Sequence, residues 1–190
     1  MPDYALPFPG FDLAGKELSY DYCYAKIPEE DRERIVKMAW ERGETAAKEI
    51  FAKFGGEEDF FEIARKSGIS WELVDKDYIV GHLRFFSDYF SGRKLIRLYT
   101  RSIALWAKQN KLDSETARNL IVSHEYFHFL ECSGLGLTSR LYQVPMLVLC
   151  PLKIGRTGIR ALSEIGAHAF ARTYHVLLAG RRETSETQNS

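Results

Sequence analysis

Apolar residues recur at helical spacing in five stretches of the chain and change to a denser, strand-like pattern in one. Pro28 followed by Glu29, Glu30 and Asp31 reads as a helix start, with acids near the positive end of the dipole. Ile35, Met38, Ala39, Ala46, Ile50 and Phe54 continue one stripe from there until Gly55-Gly56 stops it. A short helix is predicted over 57–66, with Phe60, Phe61 and Ala64 inward and Gly68 at its end. Residues 70–74 have strand character. Over 78–99 the period changes: Leu83, Phe85, Tyr89, Phe90, Leu95, Ile96, Leu98 and Tyr99 crowd the stretch. Ser91-Gly92-Arg93 interrupts it as a turn, which predicts a β-hairpin. A helix over 102–109 follows. Asp113 or Ser114 then caps a long helix running to about 132, ended by Gly134 and Gly136. A last helix is predicted over 158–178, and the apolar run 144–150 before it is a candidate strand or lid.

The ends differ from this pattern. Residues 1–28 carry Pro2, Pro7, Pro9 and Pro28 among many aromatics, which predicts an extended arm rather than a helix. Residues 181–190 are polar and are expected to be a disordered tail. That leaves 29–180 as a single domain, in keeping with 190 residues in all. The fold class is α+β: mainly helical, with a small antiparallel sheet built on the 78–99 hairpin and packed on the long helix.

Charge and cysteine content narrow the function classes. Twenty-six basic residues balance 26 acidic ones, so no bulk positive field favours nucleic acid. Arg156, Arg160, Arg172, Arg181 and Arg182 read as solvated surface. Cys23, Cys132 and Cys150 are too few and too scattered for a disulfide framework, which favours a reducing compartment. The N-terminus shows no signal peptide pattern, and the longest apolar run, near 146–150, is far too short to cross a bilayer. A cytoplasmic protein without a membrane partner is expected.

The chemistry is concentrated in the long helix, at His124-Glu125-Tyr126-Phe127-His128. Two histidines four apart stand on one helical face, so both imidazoles can reach one zinc ion at about 2.0–2.1 Å. Glu125, next to the first ligand, points beside the ion, where it can take a proton from a water. A catalytic zinc needs three protein ligands and one open position. The helix over 158–178 carries Glu164 and His168, also four apart, among Gly166, Ala167, Ala169 and Ala171. Small residues allow a close approach to the first helix, which the short reach of a glutamate requires. Glu164 is the preferred third ligand, with His168 lining the cleft; the reverse assignment stays open. Tyr174, Arg172 and His175 are candidate donors to a developing oxyanion, although ordinary helix-surface roles account for each. Cys132 is weighed as a ligand against a plain buried role, and His82 reads as structural.

These residues resemble the ImmA/IrrE family of small bacterial and phage metallopeptidases, over about 44–178. Ala47-Lys48-Glu49-Ile50 leading into Phe54-Gly55-Gly56 is similar to that family's first helix, and Ile63-Ala64-Arg65-Lys66-Ser67-Gly68-Ile69 to its second. Lys94-Leu95-Ile96-Arg97-Leu98-Tyr99 precedes the histidine helix as it does there, and Glu164-x-x-Ala167-x-x-Phe170-Ala171 matches the pattern around the family's third ligand. The family usually has small residues where Tyr126 and Phe127 stand, and often a polar residue such as Asn where His168 stands. The resemblance implies a zincin-like fold with one zinc per chain on His124, His128 and Glu164. It implies endopeptidase activity on a protein or peptide substrate, with transcriptional repressors among the substrates. A non-catalytic binding or regulatory module of a mobile element is the alternative.

Overall fold

The computed structural model describes residues 6–149 and 152–188. The fold is α+β, with six α-helices among the described residues and three small sheets. In chain order they are α1 (Phe11–Ser19), α2 (Glu29–Lys53), α3 (Phe60–Lys66), β1 (Ser70–Val74), β2 (Tyr78–Val80), β3 (Leu83–Phe85), β4 (Ser87–Phe90) and β5 (Leu95–Tyr99). Then follow α4 (Thr100–Gln109), α5 (Ser114–Leu130), β6 (Gln143–Leu149), β7 (Leu152–Gly158) and α6 (Arg160–Gln188). None of these helices is long and apolar enough to cross a membrane.

The caps form where the sequence supplies them. The Asp59 carboxylate accepts from the backbone N–H of Phe61 at 2.8 Å. That of Asp113 accepts from Glu115 and Thr116 at 2.9 Å each, which starts α5 one residue later. Beyond Leu130 the helix widens into a π-type turn over Glu131–Leu135, released through Gly134 at φ 134°.

Helices α2, α5 and α6 form the body. Phe60, Ile63, Ile96, Leu98, Ile121, Tyr126, Phe127 and Phe170 belong to one buried cluster. Ala14, Leu18, Ile35, Trp40, Ile159 and Ile165 belong to a second. The α2–α6 crossing depends on two glycines. A Cβ on Gly43 would lie 2.1 Å from the Gly166 carbonyl oxygen, and one on Gly166 would lie 2.8 Å from ring atoms of Phe127. The large Phe127 therefore fits because the residue facing it on α6 has no side chain. Gly43→Ala should destabilise the chain by about 3 kcal/mol, since backbone must move. A thermal melt should show it as a midpoint roughly 10 °C lower.

Four expectations change. Residues 11–19 are helix, not extended arm: all the prolines of that stretch precede Gly10 or follow Tyr20, and Phe11, Ala14 and Leu18 have helical spacing, with Ala14 and Leu18 buried. The hairpin over 78–99 resolves into two, β2–β3 turning at Gly81 and β4–β5 turning through Ser91–Arg93. The main sheet is mixed, in the order β1-β5-β4, because β1 pairs with β5 in parallel. The tail expected to be disordered over 181–190 continues α6 to Gln188, since neither proline nor glycine interrupts it after Gly180. Arg182 there pairs with Glu58. The apolar run at 144–150 contributes to strand β6, paired antiparallel with β7. Cys150 lies outside the described residues.

Candidate metal centre

The neighbours α5 and α6 set the site between them. Spacing of four puts His124 and His128 on one face of α5 and Glu164 and His168 on one face of α6. Gly166, where a Cβ would meet Phe127, and buried Ala167 let the two faces approach, while Ala169 faces Gly43 on α2.

Donor atoms of three residues converge closely. His124 Nε2 lies 3.3 Å from His128 Nε2 and 3.2 Å from Glu164 Oε2, and His128 Nε2 lies 3.7 Å from Glu164 Oε1. Two ligands at about 2.0–2.1 Å from a tetrahedral zinc are separated by about 3.3–3.4 Å. Two of the separations are close to such an edge, and the third, 3.7 Å to the other carboxylate oxygen, is longer; the donor set of imidazole and carboxylate suits a divalent metal ion. His168 is drawn in as well: His124, Glu164 and His168 offer ligand atoms all within 4.8 Å of one another, a group that could hold a metal ion. The pair on α6 thus reaches the site as a whole.

The electrostatics favour a cation. Burial alone would depress the His128 imidazole, but a hydrogen bond with Glu131 and the charges of Glu164 and Glu125 outweigh it and push it up to about 9. The same carboxylates that attract a proton there attract a metal ion. Burial acts to raise the Glu164 carboxyl, yet the contact with His124 and the charges of the histidines hold it well below the usual range. Burial, then the charge of His124, pushes His168 down to about 3, so its imidazole is neutral and able to ligate.

Residues outside the motif complete the arrangement. Glu131, buried in the π-type turn, bonds His128 Nδ1 at 3.0 Å and accepts from the Thr138 N–H at 2.7 Å and the Ser163 hydroxyl at 2.9 Å. A carboxylate on the outer nitrogen fixes the tautomer that turns Nε2 inward. Glu131→Gln should therefore weaken the binding of a metal ion at this site about 10–100-fold without unfolding the chain, as measured by competition with a chromogenic chelator. Ser87, on β4, donates from its hydroxyl to Glu125 Oε1 at 2.6 Å. Glu125 is itself buried, at the wall of a cleft of about 700 Å³. Glu17, on α1, feels the site too: burial and then the nearby Glu164 charge raise its carboxyl.

Neither Glu131 nor Ser87 nor Glu17 was expected from the sequence. Only Glu131 left a trace there: an acid three residues after a metal-site histidine stands on the same helical side.

The three donors expected on α6 are not in the cleft. From Glu164, Arg172, Tyr174 and His175 are displaced by about 12, 15 and 16 Å along the helix. Tyr174 is buried and donates to the Glu57 carbonyl at 2.8 Å. His175 is buried against Phe60 and Tyr174, and burial followed by the Arg182 charge lowers it to about 4. Arg172 lies near Gly10 and is not among the cleft-lining residues. Arg84, Tyr89 and Arg160 line the cleft instead. Cys132 also lines it, but it lies outside the ligand group, and burial keeps its thiol protonated more strongly than usual. His82 is exposed in the β2–β3 turn. Tyr126 and Phe127 point away from the site into the core, the Tyr126 hydroxyl meeting Ser67 at 2.8 Å.

No protein-family model matches the chain, nor does any curated protein or solved structure.

Proposed function

We propose that the protein is a zinc-dependent endopeptidase. In this reading His124, His128 and Glu164 hold one zinc ion per chain, and Glu125 is the general base. The observation that carries it is the convergence of His124, His128 and Glu164 to separations of 3.2–3.7 Å, next to a carboxylate held in place on the cleft wall. Zinc at that point would lower the pKa of a bound water and polarise a carbonyl.

The chain's own groups supply the other steps. The Ser87 hydroxyl occupies Oε1 of Glu125 and leaves Oε2 for the attacking water. Glu125 takes that water's proton and passes it to the leaving amine. Strand β4 ends the sheet order β1-β5-β4 and lines the cleft through Ser87, Asp88 and Tyr89. An extended peptide can add to that edge by main-chain hydrogen bonds, which suits a protein substrate without selecting its sequence. A regulatory protein such as a repressor is one candidate.

A second reading follows from His168. Were it to join the other three as a fourth ligand, the coordination sphere would be closed, the metal structural, and the chain a non-catalytic binding or regulatory module. One experiment separates the two. Glu125→Gln chain should trap a cellular protein that wild-type chain cuts, and purified wild type should cleave that protein while Glu125→Gln does not. Equal treatment of the trapped protein by both chains would leave the closed-site reading.

A further inference from the structure

The segment ahead of α1 lies across the cleft. Pro7, Phe8 and Pro9 form part of its lining. The Phe8 ring lies nearly parallel to His124, at 5.9 Å between centroids and 17° between planes. It also meets His168 at 5.8 Å and Trp106 at 6.1 Å, and Trp106 in turn packs on Phe86 at 5.6 Å. One wall of this slot is thus the candidate metal centre, and the other is aromatic.

We propose that this slot binds a bulky aromatic side chain of an extended peptide, and that Phe8 fills it in cis. The ligand class is a peptide presenting Phe, Tyr or Trp beside proline, and the chain's own segment competes with it. As the substrate class of the cleft, this rests on the peptidase reading; as a binding site, it stands on the aromatic walls alone.

Three features carry it. Among the described residues, Phe8's ring contacts apart from Trp106 are with imidazoles of the candidate metal centre, so it seals the site rather than the core. The flanking prolines fix φ at residues 7 and 9 and restrict the backbone of Leu6 and Phe8, where the chain bends over the site, so little freedom is lost on docking. Finally, α1 is tethered to the body by buried Ala14 and Leu18, only a few residues beyond Phe8. A tether that short gives an effective concentration of about millimolar, enough to exclude a weak peptide from outside.

The test uses a fluorescein-labelled peptide, Leu-Pro-Phe-Pro-Gly-Phe, and fluorescence anisotropy on the full chain carrying Glu125→Gln, so that turnover plays no part. Adding Phe8→Ala should tighten peptide binding about tenfold or more by vacating the slot. Pro7→Gly with Pro9→Gly, which keeps the ring but loosens the segment, should give an intermediate gain. A peptide with Ala in place of its first Phe should lose the gain. As a readout on the metal side, Phe8→Ala should also release zinc faster to a chelator. Equal peptide affinity with and without Phe8 would overturn the proposal, as would equal binding of the Ala peptide. Either result would leave the peptidase reading intact, and failure of proteolysis would leave the slot intact.

Discussion

On the proposed zinc assignment, Glu164→Ala should purify as a folded chain that has lost its metal. In zinc-finger peptides a structural zinc site with four ligands is worth about 10–16 kcal/mol, or roughly 3 kcal/mol per ligand. Losing one ligand should therefore raise the zinc dissociation constant about a hundredfold. The fold should survive, because the contacts of the Glu164 side chain are with the histidines of the site rather than the core. Metal content after dialysis against a weak chelator measures the effect. His168→Ala is the matched control, because His168 shares the α6 face and lies within reach of His124 and Glu164. A small loss with His168→Ala and a large one with Glu164→Ala assigns Glu164 as the third ligand. The opposite order assigns His168. Full zinc in both variants would remove α6 from the metal site altogether.

That His124, His128, Glu164 and His168 come together was legible in the sequence because the signal is local. Two pairs with a spacing of four need only that each lie on a helix, and both do. The approach of the helices was legible too, from the run of small residues around Glu164; the structure adds that Gly166 also accommodates the Phe127 ring. What escaped depends on tertiary placement. Ser87 reaches Glu125 only because the β4–β5 hairpin packs on α5, and nothing within either segment records that contact. Glu131 acts through a π-type turn that no apolar period announces. The candidate donors on α6 failed for a simple metrical reason, since 1.5 Å per residue takes Arg172, Tyr174 and His175 out of the cleft.

Phe11–Ser19 and the end of α6 depart from expectation for a different reason. In residues 1–28, prolines and aromatics suggested extended backbone, yet all the prolines lie outside Phe11–Ser19. There the helical spacing of Phe11, Ala14 and Leu18 prevailed, because burying two of them against α2 and α6 repays the ordering. At the other end, polar composition suggested disorder. A polar stretch remains helical when it extends an existing helix, because nucleation has already been achieved.

Glu125→Gln should keep the zinc and lose hydrolysis. The substitution preserves shape, and the amide oxygen can still accept from the Ser87 hydroxyl that now bonds Oε1 at 2.6 Å. Metal content and thermal midpoint should therefore stay near wild type. The amide cannot accept a proton, so the general-base contribution disappears, a factor of about 10²–10⁴ in the rate. Ser87→Ala should act in the same direction but more weakly, about tenfold, because it loosens the carboxylate without removing it. The rate should fall with KM little changed in both variants, since neither group is assigned to substrate binding. Single-turnover cleavage of a trapped substrate measures this. A Glu125→Gln chain that holds zinc and cleaves at the wild-type rate would remove Glu125 from the chemistry. If Ser87→Ala alone matched the full loss, the serine's hold on Glu125 would be as necessary as the carboxylate itself.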